Sequence, residues 1–246
     1  LIKANDLNDV SKDTDIIITM LPNGEVVEEV LNIIIHNLKP GTLLTDCSTI
    51  DVDKAKDLHH KCEIRKLLSL DAPVSGGVGG AKDGTLTFMV GGQADAYNIM
   101  LPLFEVMGKK SLLCGSSGSG QATKACNNML LASTMISVGD ALSLGNNLGL
   151  DQEKLFEILF TSTGSCWAIN SYCPIKGVGP ISPADNDFQP GFSVDLMYKD
   201  LTIALKAIAD TKTSAPFGMK AQENYQKMVE SNKGNLDFSA IIEFNK

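Results

Sequence analysis

Over residues 1–114 the chain alternates between short apolar runs rich in β-branched residues and amphipathic stretches. This alternation limits the fold more than any other feature. Parallel strands need long crossovers, helices supply them, and strands buried in such sheets read as nearly continuous apolar runs. Asp15-Ile16-Ile17-Ile18-Thr19-Met20 is one such run and reads as a strand buried on both faces; Pro22 and Asn23-Gly24 end it. Glu25 to Leu38 has helical spacing, with Val26, Val30 and Ile33 or Ile34 on its apolar face. Thr42 to Asp46 is the next strand, Val52 to Cys62 the next helix, and Leu67 to Val74 a third strand. A parallel, doubly wound sheet follows from the repeat.

The rhythm then changes. Asp83-Gly84 signals a tight turn, and Thr85 to Val90 reads as an antiparallel addition at the sheet's edge. Gln93 to Met107 is helical, and Ser111 to Cys114 forms a last strand. Gly115-Ser116-Ser117-Gly118-Ser119-Gly120 is a flexible junction. Beyond it strand signals nearly vanish. Gln121 to Asn147 is one long helical pattern, Asp151 caps Gln152 to Phe160, and Ser193 to Asp210, Ala215 to Ser231 and Phe238 to Phe244 continue as helices. The expected class is α/β followed by all-α, with domains at 1–114 and 115–246.

Charge excludes some partners. Lysines and arginines number 21 against 29 acidic residues, a net charge of −8, which repels nucleic acid and anionic membrane surfaces. The most apolar stretch, Met129 to Leu150, is interrupted by Asp140 and cannot serve as a bilayer span. The six cysteines are scattered, with neither a CxxC pair nor an adjacent histidine set, so they read as reduced thiols of an intracellular protein and no metal site is expected. The chain opens on Leu1 with a polar run, and no signal or transit peptide is visible, so an N-terminal segment is expected to be missing.

Three groups of residues can carry chemistry. Asp71-Ala72-Pro73-Val74-Ser75-Gly76-Gly77-Val78-Gly79-Gly80-Ala81 follows a parallel strand, where open α/β sheets bind ligands. Its adjacent glycines leave backbone N–H groups unobstructed for a carboxylate, and Ser75 adds a hydroxyl, although a glycine-rich segment can also be only a turn. Lys124 and Asn128 lie four residues apart, so they share a helix face, expected to look into the cleft between the domains. A lysine desolvated there moves toward general-base behaviour, and the amide beside it can bind a hydroxyl and a carboxylate; on their own the two also fit a solvated helix start. Lys199-Asp200 reads as an exposed ion pair, and the single tryptophan, Trp167, as core.

Taken together, these segments resemble the β-hydroxyacid dehydrogenases, and among them the 3-hydroxyisobutyrate dehydrogenase branch. DAPVSGGVGGAKDGTLTFMVGG, residues 71–92, is similar to that family's substrate-binding signature, and GSGQATKACNN, residues 118–128, to its GxGxxxKxxxN segment. Cys166-Trp167 through Pro174, then Pro190-Gly191-Phe192 and Lys199-Asp200-Leu201, resemble the helical domain of the branch. The resemblance implies a Rossmann-like NAD-binding domain and an all-helical domain like that of 6-phosphogluconate dehydrogenase. It implies NAD-dependent oxidation of 3-hydroxyisobutyrate to methylmalonate semialdehyde, as in valine catabolism, without a metal. Lys124 would be the catalytic lysine. Ser75, Gly76, Gly77 and Asn128 would bind substrate, and Leu21, Pro22, Thr49 and Lys199 would contact the dinucleotide. A homodimer or homotetramer is implied, in the mitochondrial matrix of a eukaryote or the cytoplasm of a bacterium.

The chain departs from the family pattern in places. A first strand followed by GxGxxG is absent, so roughly 45–55 residues forming a β-α-β-α segment are expected upstream. The acidic residue that selects NAD over NADP would lie there. A family asparagine after Leu21-Pro22 is replaced near Val26. The chain alone is then expected to bind NAD poorly and to associate through the exposed edge of its first strand. Alternatives remain open. A 6-phosphogluconate dehydrogenase would carry His-Asn where this chain has Asn127-Asn128. A glyoxylate or succinic-semialdehyde reductase, a non-catalytic binding module and an inactive fragment are the others.

Overall fold

The computed structural model describes residues 3–244. They form two compact units that divide between Ala125 and Cys126, each with its own core. The first holds α1 (Leu7–Ser11), β1 (Ile16–Thr19), α2 (Gly24–Ile34), β2 (Leu43–Asp46), α3 (Val52–Ile64), β3 (Leu68–Asp71) and β4 (Val74–Ser75). α4 (Gly77–Lys82), β5 (Leu86–Gly92), α5 (Ala94–Met107) and β6 (Gly108–Gly115) follow. α6 (Ser119–Asn147) begins in the first unit and runs into the second. The second continues with α7 (Gln152–Thr161), α8 (Trp167–Asn170), α9 (Val194–Thr211), α10 (Pro216–Glu230) and α11 (Ile241–Phe244).

Helix starts follow capping chemistry. The side chains of Asn23, Asp51, Asp151 and Ser193 accept from the amides of Val26, Asp53, Lys154 and Leu196, which would otherwise lack partners. Pro216 opens α10, where its missing N–H costs nothing. The expected third strand divides in two, because Pro73 has no N–H to give; its carbonyl instead accepts from Met89 N at 3.0 Å.

The sheet runs β1-β2-β3-β5-β4, with β6 also paired to β5. β1, β2 and β3 are parallel, in registers Ile16↔Leu43 and Leu43↔Leu68. β5 is antiparallel to β3, as expected, but it is not an edge: it pairs with β3, β4 and β6. β1 is an edge strand, and it is not buried on both faces. Ile17 is 5% exposed and packs with Val27, Leu31 and Leu58, whereas Ile18 is 42% exposed. The apolar face of α2 is also shifted by one residue from expectation: Val27, Leu31 and Ile34 are buried, while Val26 and Val30 are half-buried and Ile33 exposed. On the other side of the sheet, Phe88, Met100 and Phe104 pack with Leu43, Leu70 and Val90.

In the second unit, Met135, Leu142, Met197, Leu201, Tyr225 and Phe238 form one core. Asp237, fully buried, accepts from the amides of Gly191, Phe192 and Ser239 and from the Tyr172 hydroxyl. Burial, reinforced by the Asp237 charge, raises the Tyr172 phenol well above its usual range. Trp167 is not core. It is 51% exposed and stacks on Tyr172 at 4.9 Å between ring centroids, and Tyr172 stacks on Phe238. Among the described residues, no helix is long and apolar enough to cross a membrane.

All six cysteines are free thiols. Burial pushes Cys47 up to about 12 and Cys62 up to about 11, so neither presents a thiolate near neutrality, whereas Cys126 is exposed. Iodoacetamide is therefore expected to modify Cys126 in the native protein and to reach Cys47 and Cys62 only after denaturation. Peptide mass spectrometry checks this, and equal labelling of all three in the native state would contradict it.

Candidate active site

The loop after β3 is built on glycine. Gly76 has φ 128° and Gly77 φ 61°, values that side-chain-bearing residues rarely adopt. Both are exposed and follow directly from Val74–Ser75. Ser75, Gly76 and Gly77 thus form one accessible turn, held at its base by pairing of Ser75 with Thr87 in β5.

Asp71, at the carboxyl end of β3, ties the start of α6 to this loop. Its Oδ1 accepts from Gly118 N at 2.8 Å and its Oδ2 from Gln121 N at 2.9 Å. It therefore serves as an N-cap supplied from a distant strand, favoured by the positive helix end. His59 Nε2 lies 3.0 Å from the same Oδ1, and Ser69 Oγ lies 2.7 Å from His59 Nδ1; the tautomer protonated at Nε2 satisfies both. The approach is close enough to require two more glycines. A Cβ on Gly120 would stand 2.3 Å from Met89 O, and one on Gly91 2.5 Å from Asp71 Oδ1.

One turn on, Lys124 is 8% exposed, and its Nζ donates to Val74 O at 2.8 Å. The structure therefore brings Lys124 to the residue before Ser75. A buried amine beside an accessible glycine turn can exchange a proton with a ligand seated on that turn.

A second set of bonds joins the loops at the ends of β1 and β2. Thr19 Oγ1 and Ser48 N both donate to Asp46 Oδ1, at 2.8 and 3.1 Å, and Leu21 N donates to Ser48 Oγ at 2.8 Å. Burial raises the Asp46 carboxyl above its usual range, against the lowering effect of these bonds. Gln121 reaches the same place: Nε2 donates to Ser48 O at 2.7 Å, and Oε1 accepts from Ile50 N at 3.1 Å. Leu21 and Thr49 therefore lie on adjacent loops at the carboxyl ends of parallel strands.

In the second unit, Asn128 is buried. Its Nδ2 donates to Asp200 Oδ2 at 2.6 Å, and its Oδ1 accepts from Asn127 Nδ2 at 2.9 Å. Lys199 Nζ stands 3.2 Å from Asp200 Oδ1. The Lys199-Asp200 pair is not the exposed pair expected, because Asp200 is only 3% exposed and orients Asn128. Sequence reasoning assigned no role to Asp71, Gln121 or Asp200. Asp71 left one signal, a carboxylate at the end of an apolar strand; Gln121 and Asp200 left none. A cavity of about 900 Å³ in this unit, bordered by Asn146, Gln152 and Phe188, contains none of the candidate residues.

Gly120→Ala is expected to destabilise the protein by about 2–3 kcal/mol, since the new methyl meets backbone carbonyls that cannot yield. At roughly 2–4 °C per kcal/mol for a chain of this size, thermal melting by circular dichroism resolves the loss. An unchanged melting temperature would contradict the close approach.

Comparison with known proteins identifies relatives over nearly the whole of both units. A family model described as the NAD binding domain of 6-phosphogluconate dehydrogenase matches residues 1–115. Another, described as NAD-binding of NADP-dependent 3-hydroxyisobutyrate dehydrogenase, matches residues 118–245. A Mycobacterium tuberculosis protein named "Probable 3-hydroxyisobutyrate dehydrogenase" is 46% identical over 230 residues, 94% of this chain and 78% of that one. The mitochondrial 3-hydroxyisobutyrate dehydrogenase of Homo sapiens is 42% identical over 239 residues, 96% of this chain and 71% of the relative. The solved structure of Mycobacterium tuberculosis 3-hydroxyisobutyrate dehydrogenase with L-serine matches with a TM-score of 0.92 at 44% identity, covering 98% of this chain and 82% of that one.

Proposed function

The chain belongs to the 3-hydroxyisobutyrate dehydrogenase family, and from that premise we propose that it oxidises 3-hydroxyisobutyrate to methylmalonate semialdehyde with Lys124 as general base. It is an oxidoreductase that depends on a nicotinamide dinucleotide, and valine catabolism is the setting consistent with its relatives. The observation that carries the assignment to Lys124 is its hydrogen bond to Val74 O, which sets a buried amine beside the Ser75-Gly76-Gly77 turn.

The residues at the ends of β1 and β2 fit such a cofactor. Leu21, Pro22 and Thr49 would contact the dinucleotide from the loops that follow β1 and β2, since doubly wound sheets bind ligands outside the carboxyl ends of their strands, and Lys199 would add a cationic donor. The chemistry that bound nicotinamide supplies is acceptance of a hydride from the carbon bearing the hydroxyl. The chain's own residues do the rest. The Ser75 hydroxyl and the amides of Gly76 and Gly77 bind the substrate carboxylate. Lys124 takes the hydroxyl proton as the carbonyl forms, and returns it in the reverse direction. Asn128, fixed by Asp200, orients the substrate oxygens. Asp71 holds Lys124 in place through the helix start.

We further propose a homo-oligomer, a dimer or tetramer, since Leu130, Leu144, Leu148 and Phe217 of the second unit are large apolar side chains left exposed. In a eukaryote the mitochondrial matrix is the proposed location, in line with the human relative; in a bacterium it is the cytoplasm.

In the full-length protein, Lys124→Ala is expected to lower kcat by at least about 100-fold, the scale of general acid–base work. Asn128→Ala is expected mainly to raise KM for the hydroxy acid, because its amide pairs with ground-state oxygens as well as with developing charge. NADH formation followed by absorbance measures both. A Lys124→Ala enzyme keeping more than half its kcat would remove Lys124 from the chemistry, and an unchanged KM would remove Asn128 from the substrate.

A further inference from the structure

We propose that Gln121 is a positioning residue that sets the dinucleotide loop in register with the helix carrying Lys124; this rests on the roles given above to Lys124 and Thr49. Gln121 is 1% exposed and is gripped at three points. Its backbone N–H is held by Asp71 Oδ2, its Nε2 donates to Ser48 O, and its Oε1 accepts from Ile50 N. Ser48 and Ile50 are the residues on either side of Thr49, so one carboxamide clamps the peptide groups flanking the proposed cofactor contact. The clamp extends further, because Ser48 Oγ accepts from Leu21 N and so fixes the neighbouring loop as well.

The geometry is selective for this side chain. A carboxamide carries a donor and an acceptor on one planar group, and here each meets its complement on a buried backbone. A glutamate of equal length turns its former donor toward the Ser48 carbonyl as a second acceptor. A methionine fills the volume and bonds neither group, leaving two buried backbone partners unsatisfied. The residue bearing the clamp lies three positions before Lys124 on α6, and Lys124 is itself anchored to Val74 O next to the substrate turn. Cofactor loop, helix start and substrate turn therefore share one rigid link. Motion of the loop relative to Lys124 would misalign hydride and proton transfer, which depend on ångström-scale placement.

The test compares Gln121→Glu and Gln121→Met with the parent, each in the full-length protein. Calorimetric titration gives the Kd for NAD; steady-state kinetics give kcat at saturation and KM for 3-hydroxyisobutyrate; thermal melting establishes folding. The expected result in a folded variant is a rise in NAD Kd and a fall in kcat, each of about tenfold or more, with KM for the hydroxy acid changed less than about threefold. A purely structural role lowers the melting temperature and leaves this pattern flat. A folded variant with NAD Kd and kcat within about twofold of the parent overturns the proposal, as does a KM shift as large as the shift in Kd. If neither variant folds, Gln121 is a stability residue and the proposal also falls. Lys124→Ala is measured alongside: if it stays active, the underlying reading fails, whereas an inactive Lys124→Ala with silent Gln121 variants refutes the clamp alone.

Discussion

The carboxylate of Asp71 joins the parts of the candidate site that lie in the first unit. It sits at the end of β3, fully inside the fold, and accepts from Gly118 N, from Gln121 N and from His59. A helix that begins without a local cap must find acceptors elsewhere. Here the sheet provides them, and the direction of α6 is fixed relative to β3 as a result. The consequences follow along the chain. Gly91 and Gly120 must lack side chains for the approach, Gln121 is brought to the loop after β2, and Lys124 is brought to Val74.

That arrangement explains why the chemistry and the fold draw on the same segments. The strand that ends in Asp71 continues through Ala72-Pro73 into Val74–Ser75 and the glycine turn. One short stretch thus anchors the helix bearing the amine and supplies the backbone proposed to hold the substrate. The positive φ at Gly76 and Gly77 turns the chain from β4 directly into α4, in an exposed segment. In the second unit the same economy is visible on a smaller scale: Asp200 orients Asn128 and also pairs with Lys199.

Much of this was readable before the structure, for identifiable reasons. The strands and the longer helices of the first unit, α2, α3 and α5, followed from period and composition, because local patterning decides them; the short α1 and α4, in polar and glycine-rich stretches without an apolar period, did not. The exposed Ile18 did not, because an apolar run has the same appearance whether one face or two are covered. The apolar face of α2 could not be chosen between Val26/Val30 and Val27/Leu31, since both stripes are apolar and only packing separates them. The placement of β5 inside the sheet depends on pairings with strands on both sides, which no local signal encodes. Lys124, Asn128 and the glycine turn were legible from spacing and from their resemblance to a known family. Asp71, Gln121 and Asp200 were not, because their partners lie 47 to 73 residues away. A hydrogen bond over such a span leaves no pattern in the sequence.

For the proposed chemistry, the amine held at Val74 O must face the hydroxyl of a substrate whose carboxylate rests on the glycine turn. A crystal structure of the protein with dinucleotide and 3-hydroxyisobutyrate bound measures it directly. The predicted result is a substrate hydroxyl about 2.6–3.2 Å from Lys124 Nζ, with the carboxylate at Ser75, Gly76 and Gly77. A substrate bound with its hydroxyl remote from Lys124, or with its carboxylate away from that turn, would contradict it.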